Sequence, residues 1–368
     1  MSSTKNRIDL EVSRRFDVLK LLLMILVIMI HAEKGVQAYV DPVPDFARWV
    51  ILFFGHNLCR VAVPLFFAIS GYLLFLNYDP SLSGYLGLLK KKFRTIAIPF
   101  LLFNALFIAL ILIFHKIPYI GDVNTLRERG YFAILVGIGG HPVNYTLWFL
   151  RDLMIYLAVS PMFYVMAKEI PYTGIVIWYA LWNFMQQRGV PIELSGAFFF
   201  YLGGALSMQR VPLGGKSAYL WPAAGVYFLL MLVGVYLEDK GDLGALFFLI
   251  HRFNLVLGVF VFWNLTAFPA IRDNRKLLSL AGFSFFIYLA HEPILSYCIY
   301  STRYLFEVVR PGGQIGTLIY FFLLTAVVFF LALNLGKLLL RFTPRLYAVA
   351  TGARAPRASQ APRTDGRR

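Results

Sequence analysis

The chain has 368 residues, 59% of them hydrophobic and only 15% charged, with a mean hydropathy of +0.67. Soluble domains run at about 45–50% apolar and about 25% charged, which sets aside a soluble fold, a disordered chain and a disulfide-stapled scaffold. Cys59 and Cys298 both sit in apolar runs and read as packing residues. The net charge of +16 would suggest nucleic acid in a soluble protein; in a membrane protein it marks the cytoplasmic loops.

A hydrocarbon core of about 30 Å needs roughly 20 mostly apolar residues per helix. In chain order, candidate spans cover residues 17–38, 50–77, 95–115, 146–167, 172–186, 192–208, 218–237, 243–268, 278–302 and 315–340. The fifth and sixth are short. The first does not read as a cleaved signal peptide. Lys20 and His31 lie inside it, and Ala32-Glu33-Lys34 offers no small-x-small cleavage pattern.

Alternate connections carry most of the Lys and Arg. Lys5, Arg7, Arg14 and Arg15 precede span 1, Lys90, Lys91, Lys92 and Arg94 follow span 2, and Arg272, Arg275 and Lys276 follow span 8. The chain past span 10 is basic as well. The expected fold is therefore all-α: a polytopic membrane protein of about ten transmembrane helices with both termini cytoplasmic. Residues 1–345 read as one integral membrane domain. Residues 346–368, rich in Ala, Pro and Arg, read as a disordered basic tail. No internal repeat of the kind many transporters carry is evident.

Charges at mid-membrane cost at least ~2.5–3.5 kcal/mol and are functional candidates by default. Lys20 and His31 are eleven residues apart in span 1. That is almost three helical turns, so they share a face about 16 Å apart along the axis. Lys20 falls near the cytoplasmic end, where it can snorkel or pair with Asp17 one turn away. His31 falls in the outer half. Span 2 carries His56, Asn57 and Arg60, with His56 and Arg60 at i, i+4. Arg60 is expected deep and in need of a carboxylate, phosphate or carbonyl partner. Span 4 opens with Trp148 at the outer interface, then Arg151 and Asp152. Span 8 carries His251, Arg252 and Asn254, and span 9 carries His291 and Glu292. Depth alone suggests that spans 1, 2, 8 and 9 share one outer polar cavity. No nucleotide-binding loop, metal-ligand spacing or paired Cys motif is present. Asn144-Tyr145-Thr146 fits a glycosylation acceptor only weakly.

These segments, in order, resemble the acyltransferase 3 family of integral membrane acyltransferases over roughly residues 14–340. Phe16-Asp17-Val18-Leu19-Lys20 leading to His31 is similar to the family's opening helix, in which an Arg stands where Lys20 stands here. Arg60 through Pro64 to Ser70-Gly71-Tyr72 resembles its second block. Lys91-Lys92-Phe93-Arg94 with Pro99 resembles the third, and Leu147-Trp148-Phe149-Leu150 through Ser160-Pro161 the fourth. Phe200 to Leu206 resembles a glycine block, and Ser284 to His291 the penultimate helix. Lys keeps the charge of the family's Arg but loses its planar fork. The fused periplasmic domain of some members is not seen, so the resemblance is to stand-alone members.

The resemblance implies acyl transfer from cytoplasmic acyl-CoA, most often acetyl-CoA, to a hydroxyl of a cell-surface or lipid-linked glycan at a bacterial inner membrane. No permanently bound cofactor is expected, and no ligand spacing supports a metal site. His31 would act as general base, with direct transfer and an acyl-histidine both compatible. Arg60 would stabilise the oxyanion, and His291 would move a second proton or place the acceptor. Lys20, Lys91, Lys92 and Arg94 would hold the donor phosphates. Glu33, Trp148, Arg151 and Arg252 would face the acceptor. Glu33 could orient His31 only if the helix broke after it. The rival class is a transporter or flippase, which needs intramembrane charges but no base.

Overall fold

The computed structural model describes residues 9–40, 42–117, 121–185, 192–308 and 313–354. It is almost wholly helical; two paired two-residue strands, β1 (Lys116–Ile117) and β2 (Gly121–Asp122), are the exception among the described residues.

Helix α1 (Leu10–Tyr39) is continuous. The Asp9 carboxylate caps its start by accepting the Glu11 N–H at 2.8 Å. It begins earlier than the apolar run because Arg15 is itself buried. The Arg15 guanidinium donates to the carbonyls of Leu213, Gly215 and Trp263 and lies 3.9 Å from the Trp263 ring centre. Span 2 is not a plain helix. α2 (Asp45–Ile51) widens into a π-helical turn over Leu52–Leu58, tightens to 3₁₀ over Cys59–Val61, and continues as α3 (Ala62–Phe75). Such irregular turns re-aim side chains, and His56 and Arg60 both lie in this stretch. α4 (Leu82–Lys92), capped by Ser81, runs through a second π turn (Phe93–Ala97) into α5 (Ile98–Phe114). The long connection then folds as α6 (Val123–Arg129) and α7 (Tyr131–Val136).

A 3₁₀ turn (Tyr145–Leu147) starts α8 (Trp148–Ala158), which bends by 64° into α9 (Ser160–Glu169). Pro161, in the first turn of α9, supplies no backbone donor, so the bend falls where the helical ladder cannot continue. α10 (Pro171–Met185), α11 (Leu194–Met208), α12 (Leu220–Asp239) and α13 (Ala245–Leu265) follow. α14 (Pro269–Arg272) and α15 (Arg275–Ala281) lead to a second bend, of 69°, into α16 (Ser284–Val308). α17 (Gly313–Phe342) and α18 (Pro344–Ala350) complete the described chain.

The helices of five regions are long and apolar enough to cross a membrane, or up to seven with each bent pair counted as one span. The chain is an integral, multi-pass membrane protein. α10 and α11 are the short fifth and sixth segments. α11 is buried along most of its length and lies backbone to backbone on α3. A Cβ at Gly71 would stand 1.9 Å from the Phe200 carbonyl oxygen, and one at Gly203 would stand 1.9 Å from that of Ala68. Only glycine permits this approach.

The C-terminal boundary differs from the sequence reading. Order continues through residue 354, past the expected tail start at residue 346, because Tyr347 is buried and stacks on Phe286 at 5.6 Å. The expected tail from residue 355 onward lies outside the described residues.

Candidate active site

His31 sits on the inner-packed side of α1, facing α8 and α16. Its Nδ1 is 3.1 Å from the Tyr145 hydroxyl. That hydroxyl donates to Glu292 Oε2 at 2.8 Å. A tyrosine has one proton to give. With it committed to Glu292, Tyr145 accepts from His31 Nδ1–H, and the lone pair of His31 is left on Nε2. Glu292 is fully buried and also accepts from Ser296 Oγ at 3.3 Å. Lys34, one turn above His31, lies 3.9 Å from Glu292 Oε1 and 3.5 Å from the Tyr145 ring centre. The carboxylate is thereby given the charge and hydrogen bonds that its burial demands. His291 stacks on His31, ring centres 5.7 Å apart. It is wholly buried, with Nδ1 bonded to the Tyr288 carbonyl at 2.6 Å. Its Nε2 has no hydrogen-bond partner among the described residues.

One cavity of about 390 Å³ reaches this cluster. Asp17, Lys20, Lys92 and Arg354 line it, as do His31, Thr146 and Trp148. Lys20 pairs with Asp17 at 3.6 Å. Burial pushes the Arg354 guanidinium down to about 10. A larger groove, about 830 Å³, lies between α5, α16, α17 and α18, and its lining holds no ionisable group except Tyr297, Cys298 and Tyr320. It suits lipid chains better than chemistry.

The other expected site residues divide. Trp148 and Lys92 line the cavity, whereas Lys91 and Arg94 are exposed and outside its lining. Arg60, expected deep and paired, is exposed; no hydrogen bond or ion pair reaches its guanidinium among the described residues. The π turn and 3₁₀ turn of span 2 swing it outward, within electrostatic reach of His31 and His251. Glu33 does not orient His31, since α1 runs unbroken through both. It faces the opposite way, onto His56 Nε2, while His56 Nδ1 faces Glu238 at the end of α12.

Arg151 and Arg252 do not reach the cavity. Arg151 pairs with buried Asp152 at 2.9 Å and donates to the carbonyls of Gly137 and Gly140. Arg252 donates to the backbone and side-chain oxygens of Asn183, both at 3.0 Å. Both hold protein segments together. Tyr145 and Lys34 escaped the sequence reading as members of the site, and Glu292 was given no role in it. Glu292 was visible beside His291, but nothing local pointed to Tyr145.

Three comparisons with known proteins bear on this arrangement. The profile of a family described as an acyltransferase domain, acyltransferase 3, matches residues 13–336. A curated relative, the succinoglycan biosynthesis protein ExoH of Rhizobium meliloti (strain 1021), is 27% identical over 359 residues, covering 94% of each chain. No solved structure matches.

Proposed function

Because the chain belongs to the acyltransferase 3 family, we propose that it is a membrane O-acyltransferase that moves an acyl group, most simply acetyl, from cytoplasmic acyl-CoA to a hydroxyl of a cell-surface or lipid-linked polysaccharide. The relative named for succinoglycan biosynthesis supports a polysaccharide acceptor. In this reading the protein lies in a bacterial inner membrane, with ten spans and both termini cytoplasmic. The observation that carries the proposal is the single cavity that joins the cations at Lys20 and Lys92 to His31. A charged donor can stay at the inner end while its acyl end reaches the base about 16 Å away.

His31 Nε2 takes the proton of the acceptor hydroxyl as the oxygen attacks the thioester carbonyl carbon. The C–O bond forms and the C–S bond breaks. The departing thiolate then recovers the proton from His31, so the enzyme ends as it began. Tyr145 and Glu292 hold the imidazole in the tautomer with the lone pair on Nε2, the role a buried carboxylate plays in other histidine-base sites. Arg60 lies outside the cavity lining but within electrostatic reach of His31, so it stabilises the developing oxyanion by its charge and not by a direct hydrogen bond. His291 is a positioning residue, since it packs behind the base.

Isolated membranes containing the protein are expected to transfer label from acetyl-CoA to polysaccharide. The His31→Ala variant, inserted at the same level, is expected to transfer none above background. Normal transfer by that variant would overturn the assignment of the base.

A further inference from the structure

We propose that Arg354 completes, with Lys20 and Lys92, a binding site for a phosphate group of the donor, which makes the C-terminal segment around α18 part of the donor site. This inference rests on the acyl-CoA reading above. Arg354 lines the same cavity as Lys20, Lys92 and His31. Its guanidinium lies 3.6 Å from the Phe285 ring centre, a stack that fixes the plane of the fork. Its Nη1 is buried with no hydrogen-bond partner among the described residues. A buried guanidinium nitrogen without an acceptor is costly, and an incoming oxyanion would satisfy it.

The segment is held in place and does not simply pass by. Tyr347 stacks on Phe286. Thr351 Oγ1 donates to the Tyr347 carbonyl at 2.7 Å. Gly352, at φ +63°, lies so close to the second π turn that a Cβ would come within 2.5 Å of Thr95 Cα. That turn directly follows Lys92, so the contact sets Arg354 beside Lys92, and the two cations interact electrostatically. Asp17 is the carboxylate of the lining, 3.6 Å from Lys20. Three cations against one anion leave an excess positive charge in a cavity that His31 also lines. A planar fork beside one ammonium group, with a second in the same cavity, matches the oxygens of a phosphate ester or diphosphate. Two sources supply that chemistry: the donor itself, or an anionic lipid headgroup of the inner leaflet.

The test uses the full-length protein in nanodiscs of phosphatidylcholine, titrated with coenzyme A and with pantetheine, which has no phosphate. The wild type is expected to bind coenzyme A the more tightly. Arg354→Gln should weaken coenzyme A binding by about tenfold or more, as loss of a charged hydrogen bond would, and leave pantetheine binding unchanged. Arg354→Lys should recover part of the loss. Equal loss for both ligands together with a lower melting temperature would assign Arg354 a structural role and overturn the proposal, as would wild-type affinity in Arg354→Gln. If that variant kept its coenzyme A affinity but lost the thermal stabilisation given by added phosphatidylglycerol, the phosphate site would belong to a headgroup and the donor assignment would fall. Wild-type protein that bound no coenzyme A would instead overturn the donor reading itself. As a second measure, Arg354→Cys should react with a charged thiol reagent and be protected by coenzyme A; reaction without protection would contradict the proposal.

Discussion

Two histidine clusters grow from one helix, two residues apart, and they differ in what they leave unused. His31 is held at one nitrogen by Tyr145 and lines the cavity. His56 is gripped at both nitrogens, by Glu33 of α1 and Glu238 of α12. An imidazole that donates on both sides has no lone pair to offer as a base. It serves as a clamp. It ties α1 and the irregular part of span 2 to the end of α12, where Arg48 pairs with Asp239 at 2.9 Å. Two adjacent carboxylates at a helix C-terminus oppose the helix dipole, and His56 and Arg48 offset that cost. A histidine inside a membrane helix is therefore diagnostic only once the partners of both nitrogens are known.

The sharpest way to break the contrast is His31→Ala. It should lower acyl transfer by about 10²–10⁴-fold, the usual scale for a lost general base, and change the melting temperature little. Tyr145→Phe comes next. It keeps the ring beneath Lys34 and removes the hydroxyl link to Glu292, so kcat should fall by roughly 10–100-fold with KM nearly constant, less than for loss of the base itself. A rise in KM with kcat unchanged would argue for acceptor binding in place of positioning. His56→Gln should act on stability. Removing the bridge leaves two carboxylates facing each other across a half-buried gap, at about 1–3 kcal/mol, discounted from the value for a fully buried pair. Activity per folded molecule should hold. Loss of activity at unchanged melting temperature would erase the distinction between the two clusters.

The smallest effect is expected far from both clusters. The Asp273 carboxyl is held below the usual carboxylate range by hydrogen bonds from Arg272 and then Arg14. A depressed folded value means that its stabilisation is present above the unfolded value of about 3.9 and is lost as pH falls through the folded value. Asp273→Asn should therefore lower stability slightly in the neutral region and leave it unchanged below the folded value, so that the acid limb flattens. These ion pairs are partly exposed and their contribution is small.

The sequence made the helical, membrane-spanning character plain, because 3.6-residue turns and the length of apolar runs are local properties. The shared face of Lys20 and His31 was legible for the same reason. Their joining by one cavity was not, since it depends on α8, α15 and α16 closing around α1. Arg60 read as buried and paired because a regular helix was assumed where the chain forms π and 3₁₀ turns. Arg151 and Arg252 looked like site residues by composition, but neighbouring carbonyls and Asp152 consume their hydrogen bonds. Tyr145 carried no local signal. Arg354 was hidden by its setting, an Ala-, Pro- and Arg-rich stretch that reads as disordered until Tyr347 docks.

The central claim is that His31, and not its neighbour His56, carries the transfer of an acyl group to a surface polysaccharide. Mass spectrometry of that polysaccharide tests it most directly, from cells lacking the protein and complemented with wild type, His31→Ala or His56→Gln. The account predicts one added acyl unit with wild type and with His56→Gln, and none with His31→Ala. An added acyl unit in the His31→Ala strain would contradict it.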